Sequence, residues 1–234
     1  KAGFDFDVPH LTAGSAYRPI IINAIQSSDE DSTVCTPLFE SVERSVCFWG
    51  QYEDPTTGTG EAIRFIEDST ETVVADMASE CTPQTLTFND GSATLPKIRY
   101  DDVGEMQLHA RYEGTEVNED EGLVVIGSDT FVVKPHHFAI SNIVCSDDDG
   151  TVNPKAVDSG GDVFCTAGED FRLTVTAMNA LGDPTPNFGK ESPPETESVV
   201  FDNALVPGIG LDENPPVIYK NKETTGSIES GSSI

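Results

Sequence analysis

The stretch TAGSAYRPIIINAI, residues 12–25, returns as TAGEDFRLTVTAMN, residues 166–179. Thr, Ala, Gly and Arg keep their spacing, Tyr17 is answered by Phe171, and Gly14 and Gly168 stand 154 residues apart. A second echo follows each copy. Thr36-Pro37-Leu38-Phe39 is answered by Thr185-Pro186-Asn187-Phe188, with the two phenylalanines 149 residues apart, and each leads into a strand-like run, SVCFW and then SVVF. Recurrence at a fixed interval is the signature of one supersecondary unit used twice. It predicts two domains, residues 1–134 and 135–234. Tandem β-units serve mostly as spacers or binding modules, so the repeat itself weighs against an enzyme.

Each copy reads as β. In FRLTVTAM, Phe171, Leu173, Val175 and Ala177 share one face while Arg172, Thr174 and Thr176 share the other, the alternation of a half-buried antiparallel strand. Within residues 1–134, similar runs cover 3–8, 16–25, 42–52, 62–66, 84–88, 92–100, 105–112 and 123–133. Helical periodicity is nearly absent, and Gly, Pro, Asn and Asp separate the runs. Asn89-Asp90-Gly91 supplies the positive φ values of a tight hairpin. Asn179 to Pro184 turns at Gly182. The expected fold is therefore all-β: tandem immunoglobulin-like sandwiches, the second incomplete. Only Pro135 separates the two blocks, which predicts a semi-rigid rod.

Charge excludes some partners. The 234 residues carry 41 acidic and 13 basic side chains, a net charge of −28. Too few cations are present to neutralise nucleic-acid phosphates or to hold an anionic membrane surface. The acids are spread along the chain, as on a solvated surface that keeps an exported or salt-adapted protein soluble. No run approaches the ~20 apolar residues of a membrane span. The sequence opens on Lys1-Ala2-Gly3 in mid-pattern and closes on a polar, Gly/Ser-rich stretch, so both ends read as cut from a longer chain whose other domains are its first partners.

Five cysteines without metal-type spacing suggest an oxidising compartment. Cys145 and Cys165 flank an acidic, Gly-rich loop and pair naturally; a loop of that length contributes about 3 kcal/mol in the chain-entropy account. Cys35 and Cys81, each before Thr-Pro in loop-like sequence, form the second expected pair. That leaves Cys47 as a buried thiol on the strand face it shares with Trp49. No cysteine has a histidine in its own segment, and none reads as a nucleophile.

The most site-like segment is residues 146–153. Asp147, Asp149, Thr151 and Asn153 place oxygen donors at alternating positions around Gly150, a candidate calcium loop that lacks the flanking helices and twelfth-position Glu of an EF-hand. An ordinary acidic turn competes with that reading. The acidic run at residues 118–121 is a weaker version of it, and reads as a solvated loop. His136 and His137, as neighbours on a strand, should point to opposite faces and so not share a metal. Trp49 with Phe48 and Tyr52 is a candidate sugar platform, set against an inward Trp packed on the sandwich core. No nucleophile elbow, P-loop, dinucleotide fingerprint or zinc-protease motif occurs.

The stretches FDFDVPHLTAG, CTPLFESVERSVCFWGQYEDPTTGTG, IRYDDVGEMQLHARYEG, GSDTFVVKPHHFAISNI and AGEDFRLTVTAMNALGDPTPNFG span nearly the whole chain. In them the sequence resembles the MshQ-like family, large secreted proteins of Gram-negative bacteria associated with the mannose-sensitive haemagglutinin type IV pilus. The last stretch is also loosely similar to bacterial immunoglobulin-like repeats of the invasin and intimin type. The resemblance implies an extracellular or cell-surface protein serving as a stalk or adhesion module, with pilus subunits or surface glycans as partners and no catalytic residues to carry over. A carbohydrate-binding module of a larger secreted enzyme is the alternative.

Overall fold

The computed structural model describes residues 1–28, 34–56, 60–145, 150–154, 160–166 and 170–193. Up to Lys134 the described residues form twelve strands: β1 (Ala2–Phe6), β2 (Leu11–Thr12), β3 (Ile21–Ser27), β4 (Cys35–Pro37), β5 (Val42–Asp54), β6 (Arg64–Glu67), β7 (Thr70–Val73), β8 (Thr82–Phe88), β9 (Ser92–Thr94), β10 (Lys97–Arg99), β11 (Gly104–Glu113) and β12 (Val124–Lys134). Beyond them lie β13 (His137–Cys145) and β14 (Phe171–Met178). The protein is all-β.

A five-stranded sheet in the order β2-β12-β11-β5-β8 carries the longest strands. Its members are antiparallel except β2, which joins β12 in parallel. Opposite it lies a sheet of β1-β3-β4 with β9 also paired to β3, and a third, small sheet runs β10-β6-β7. Alternation decides the faces: Met106, Leu108, Ala110 and Tyr112 of β11 point inward, as do Val46 and Phe48 of β5. Aromatic contacts tie the sheets across the core. Phe4 of β1 stacks on Phe88 of β8 at 6.2 Å, and Phe48 of β5 meets Phe65 of β6 edge-on at 5.3 Å.

The run at 92–100 is two strands instead of one. Leu95-Pro96 separates β9, which pairs with β3, from β10, which pairs with β6, because a proline cannot donate to a ladder. The run at 16–25 becomes a strand only at Ile21, past Pro19. Three strands of two to four residues, β2, β4 and β7, escaped the sequence reading altogether. At Asn89-Asp90-Gly91 the chain makes the tight hairpin, with φ of +50° at Asp90 and +76° at Gly91.

The repeat is structural as well as sequential. β14 pairs antiparallel with β13 as β3 does with β1. Phe39 and Phe188, the ends of the second echo, are both buried.

Candidate functional site

The described buried polar or charged side chains are Asp102, Asn179, Thr185 and Asn187, and all four belong to the junction between the first sandwich and the β13–β14 hairpin. Asn179 is the residue after β14. Its Nδ2 donates to the Asp101 carbonyl at 3.0 Å, while its Oδ1 accepts from the backbone of Leu181 at 2.9 Å and Asp183 at 3.0 Å. One side chain thus shapes the turn and binds it to the other unit. The Ala180 N–H donates to the Ala13 carbonyl at 2.8 Å. Gly14 sits beneath this contact at φ +74°, where a Cβ would come within 2.8 Å of the Ala180 nitrogen. Only glycine serves both the conformation and the close approach.

Deeper in, the Asp102 carboxyl accepts from its neighbour Val103 N–H at 2.8 Å and from Asn187 N–H across the junction at 3.1 Å. Asn187 Nδ2 donates to the Tyr100 hydroxyl at 3.4 Å. At the rim, the Ser192 N–H lies 3.0 and 2.9 Å from the two Asp54 carboxylate oxygens. Burial pushes the Tyr100 phenol far above its ordinary range, and desolvation also raises Tyr52, whose ring lies 6.4 Å away. Both stay protonated donors at any physiological pH. Buried polar groups cost little only when hydrogen-bonded. Asn179, Asp102 and Asn187 bond from one unit to the other, while Thr185 Oγ1 and Asn187 Oδ1 are buried without a hydrogen-bond partner. A cleft of about 220 Å³ beside the seam is lined by Val103, Glu105, Lys134, Phe188 and Glu191 among others. Among the described residues, the polar contacts of the seam tie one unit to the other.

The structure bonds Cys145 to Cys165. It corrects the other expected pair: Cys81 joins Cys47, with Cα atoms 5.4 Å apart, and Cys35 is an exposed free thiol. The reason lies in strand register. β5 and β8 are neighbours with Cys47 opposite Pro83, so Cys81 lies just past the ladder end, whereas Cys35 belongs to β4 in the facing sheet. Nor is Cys47 a buried thiol.

Of the candidate calcium loop, Asp147 and Asp149 lie outside the described residues. The Thr151 carbonyl accepts from Cys145 N–H at 2.8 Å, and Asn153 N–H donates to the Ile143 carbonyl at 3.0 Å, so both residues lie alongside β13. In the weaker acidic run, Asp120 is committed to protein partners. Its carboxylate takes hydrogen bonds from the Tyr112 hydroxyl at 2.7 Å, Thr115 N–H at 2.8 Å and Arg44 Nε at 3.0 Å. Desolvation works against ionisation there, but these partners outweigh it and hold the carboxyl below its usual value. Among the described residues no three His, Cys, Asp or Glu side chains are grouped to hold a metal.

Trp49 corrects the inward expectation. It lies on the outer face of β5, because the alternation that buries Val46 and Phe48 turns it outward. There its ring stacks on His109 of β11, centroids 4.7 Å apart and planes within 4°. His109 Nε2 is 2.8 Å from Gln51 Oε1. One face of the indole is thus already covered. His136 and His137 correct a second expectation: His136 lies in a bend before β13, so the two rings meet instead of diverging, Nδ1 to Nδ1 at 2.9 Å.

The comparisons with known proteins agree with this architecture. The profile described as a domain of unknown function (DUF6701), first Ig-like domain, matches residues 1–128, and that described as the second domain of DUF6701 matches residues 134–228. The protein belongs to the DUF6701 family, with an immunoglobulin-like first domain. Neither the curated proteins nor the solved structures include a match.

Proposed function

We propose that this chain is a structural stalk or adhesion module of a secreted or pilus-associated surface protein of a Gram-negative bacterium, and that it is not an enzyme. The observation that carries this reading is the seam. Three of its four described buried polar side chains, Asp102, Asn179 and Asn187, hydrogen-bond one β-unit to the next, which suits a spacer that must hold its units in line. Two disulfides are compatible with an oxidising, extracytoplasmic setting. Among the described residues no helix is long and apolar enough to cross a membrane. The resemblance to MshQ-like proteins supports the link to pili, with the other domains of the longer chain, pilus subunits or surface glycans as partners.

The test is made on intact cells. External protease should cut this region while a periplasmic marker stays whole, and the region should fractionate with sheared surface appendages. Recovery in the cytosol with both disulfides reduced would overturn the proposal.

Trp49 on the outer face keeps a second reading, a carbohydrate-binding module. A sugar platform needs an open ring face, and His109 covers one side. Glycan-array binding lost in Trp49→Ala would favour this reading over the first.

A further inference from the structure

We propose that His136, His137 and Met178 form a solvent-open copper site at the start of β13. The imidazoles present their Nδ1 atoms to each other 2.9 Å apart, with ring planes at 88°. Metal–nitrogen bonds of about 2.0–2.1 Å put two ligands at right angles about 2.8–3.0 Å apart, whereas a tetrahedral pair spans about 3.3–3.4 Å. The 2.9 Å here is the length of a hydrogen bond between the rings, and a turn of either ring brings both lone pairs toward one cation at the right-angled bite that Cu(II) takes with nitrogen ligands. The hydrogen bond between the two rings gives way when a cation takes both nitrogens.

The third ligand comes from the strand register. Met178 lies directly opposite His137 in the β13–β14 ladder, and His136 N–H donates to the Met178 carbonyl at 2.8 Å. Side chains directly opposite on antiparallel strands have Cβ atoms about 4.5–5.5 Å apart on one face, within reach of a thioether. Two imidazoles with a thioether suit copper in both oxidation states, the sulfur favouring Cu(I). Both histidines are exposed, so water can fill the remaining positions. The net charge of −28 concentrates cations near the surface.

The experiment uses the whole chain carrying Cys35→Ser, so that the free thiol neither reduces nor binds copper. Titration with Cu(II) followed by electron paramagnetic resonance should show one equivalent bound with hyperfine structure from two nitrogens. His136→Asn or His137→Asn should each weaken binding at least tenfold, and the double variant should lose the signal while its melting curve is unchanged. Under anaerobic competition with a chromogenic chelator, Met178→Leu should weaken Cu(I) binding at least tenfold and Cu(II) binding less than threefold. Copper held equally well by the double histidine variant, at the terminal amine or His10, would overturn the site. An unchanged Cu(I) affinity in Met178→Leu would remove the thioether from it.

Discussion

The amino-terminal sandwich and the β13–β14 hairpin use the same repeated sequence in different settings. In the first, β3 is hemmed in by β1, β4 and β9, and its Ile22 and Ala24 are shut into a core shared with the facing sheet. In the second, Leu173, Val175 and Ala177 of β14 are buried, yet Phe138 and Ile140 on the neighbouring strand remain 42% and 53% exposed. Where apolar burial is thinner, polar bonds supply the order: the hairpin reaches the sandwich through Asn179, Asn187 and the Ala180–Ala13 contact. A repeat therefore preserves strand pairing while its means of attachment varies.

The largest expected break separates those two sources of stability. Phe48→Ala removes a fully buried ring packed on Phe65 and should cost about 3–5 kcal/mol, melting the sandwich and hairpin together. Phe188→Ala, at the junction, should instead raise hydrogen exchange in β13 and β14 and leave β5 and β11 protected. Equal exchange in both regions would erase the distinction. Next come the disulfides, one on each side. In the chain-entropy account the 34-residue separation of Cys47–Cys81 contributes about 4 kcal/mol and the 20-residue separation of Cys145–Cys165 about 3 kcal/mol. Thermal melts of Cys47→Ala/Cys81→Ala and Cys145→Ala/Cys165→Ala should rank in that order.

Asp102→Ala tests the seam itself. It strands the buried N–H groups of Val103 and Asn187, a loss of about 1–3 kcal/mol, and the exchange it provokes should begin at residues 185–188. A change confined to the loop at 101–104 would show that the seam carries no load.

How far these features were legible follows from the range of the forces that set them. The β-class, the hairpin at Asp90-Gly91 and the burial of Leu173, Val175 and Ala177 in β14 depend on alternation and turn chemistry within a few residues and were readable. Phe171, read on the same face, is instead exposed at the strand's start. The partner of Cys81 was not, because it depends on which strands become neighbours. Cys35 and Cys47 both lie in reach along the chain, and only the β5–β8 register selects Cys47. Trp49 was misjudged for a related reason. Its bulk suggested the core, but period-two alternation with Val46 and Phe48 was already in the sequence and should have prevailed over size. The seam was invisible because Asp102 and Asn187 look like any surface residues in an acidic chain, and their burial arises from how the two copies dock.

Acid should weaken the two regions differently, since the two carboxyls held below their ordinary values among the described residues, Asp120 and the Arg99-bonded Glu71, are both in the sandwich. Asp120 is held below the ordinary carboxyl value by Tyr112, Thr115 and Arg44 against the pull of desolvation. Its contribution is present above the unfolded value near 4 and is lost as pH falls through the lower folded value. Between pH 5 and pH 2 the sandwich should therefore lose stability, and Asp120→Asn should flatten that slope while lowering the melt at pH 7.

The smallest effect is that of His109, and it falls in a higher window. Desolvation beside Trp49 lowers its pKa, and the Glu53 charge opposes this only in part. The folded state thus prefers the neutral ring. Stability is full above the unfolded value of about 6.5 and declines as pH falls from there toward the folded value. Because the ring is partly solvated, the change in melting temperature between pH 7.5 and pH 5.5 should be a few degrees at most. His109→Phe keeps the stack without the titration, so its melting temperature should be level over the same interval. If the variant slopes as the parent does, the pH dependence resides elsewhere, and the Trp49–His109 pair is packing alone.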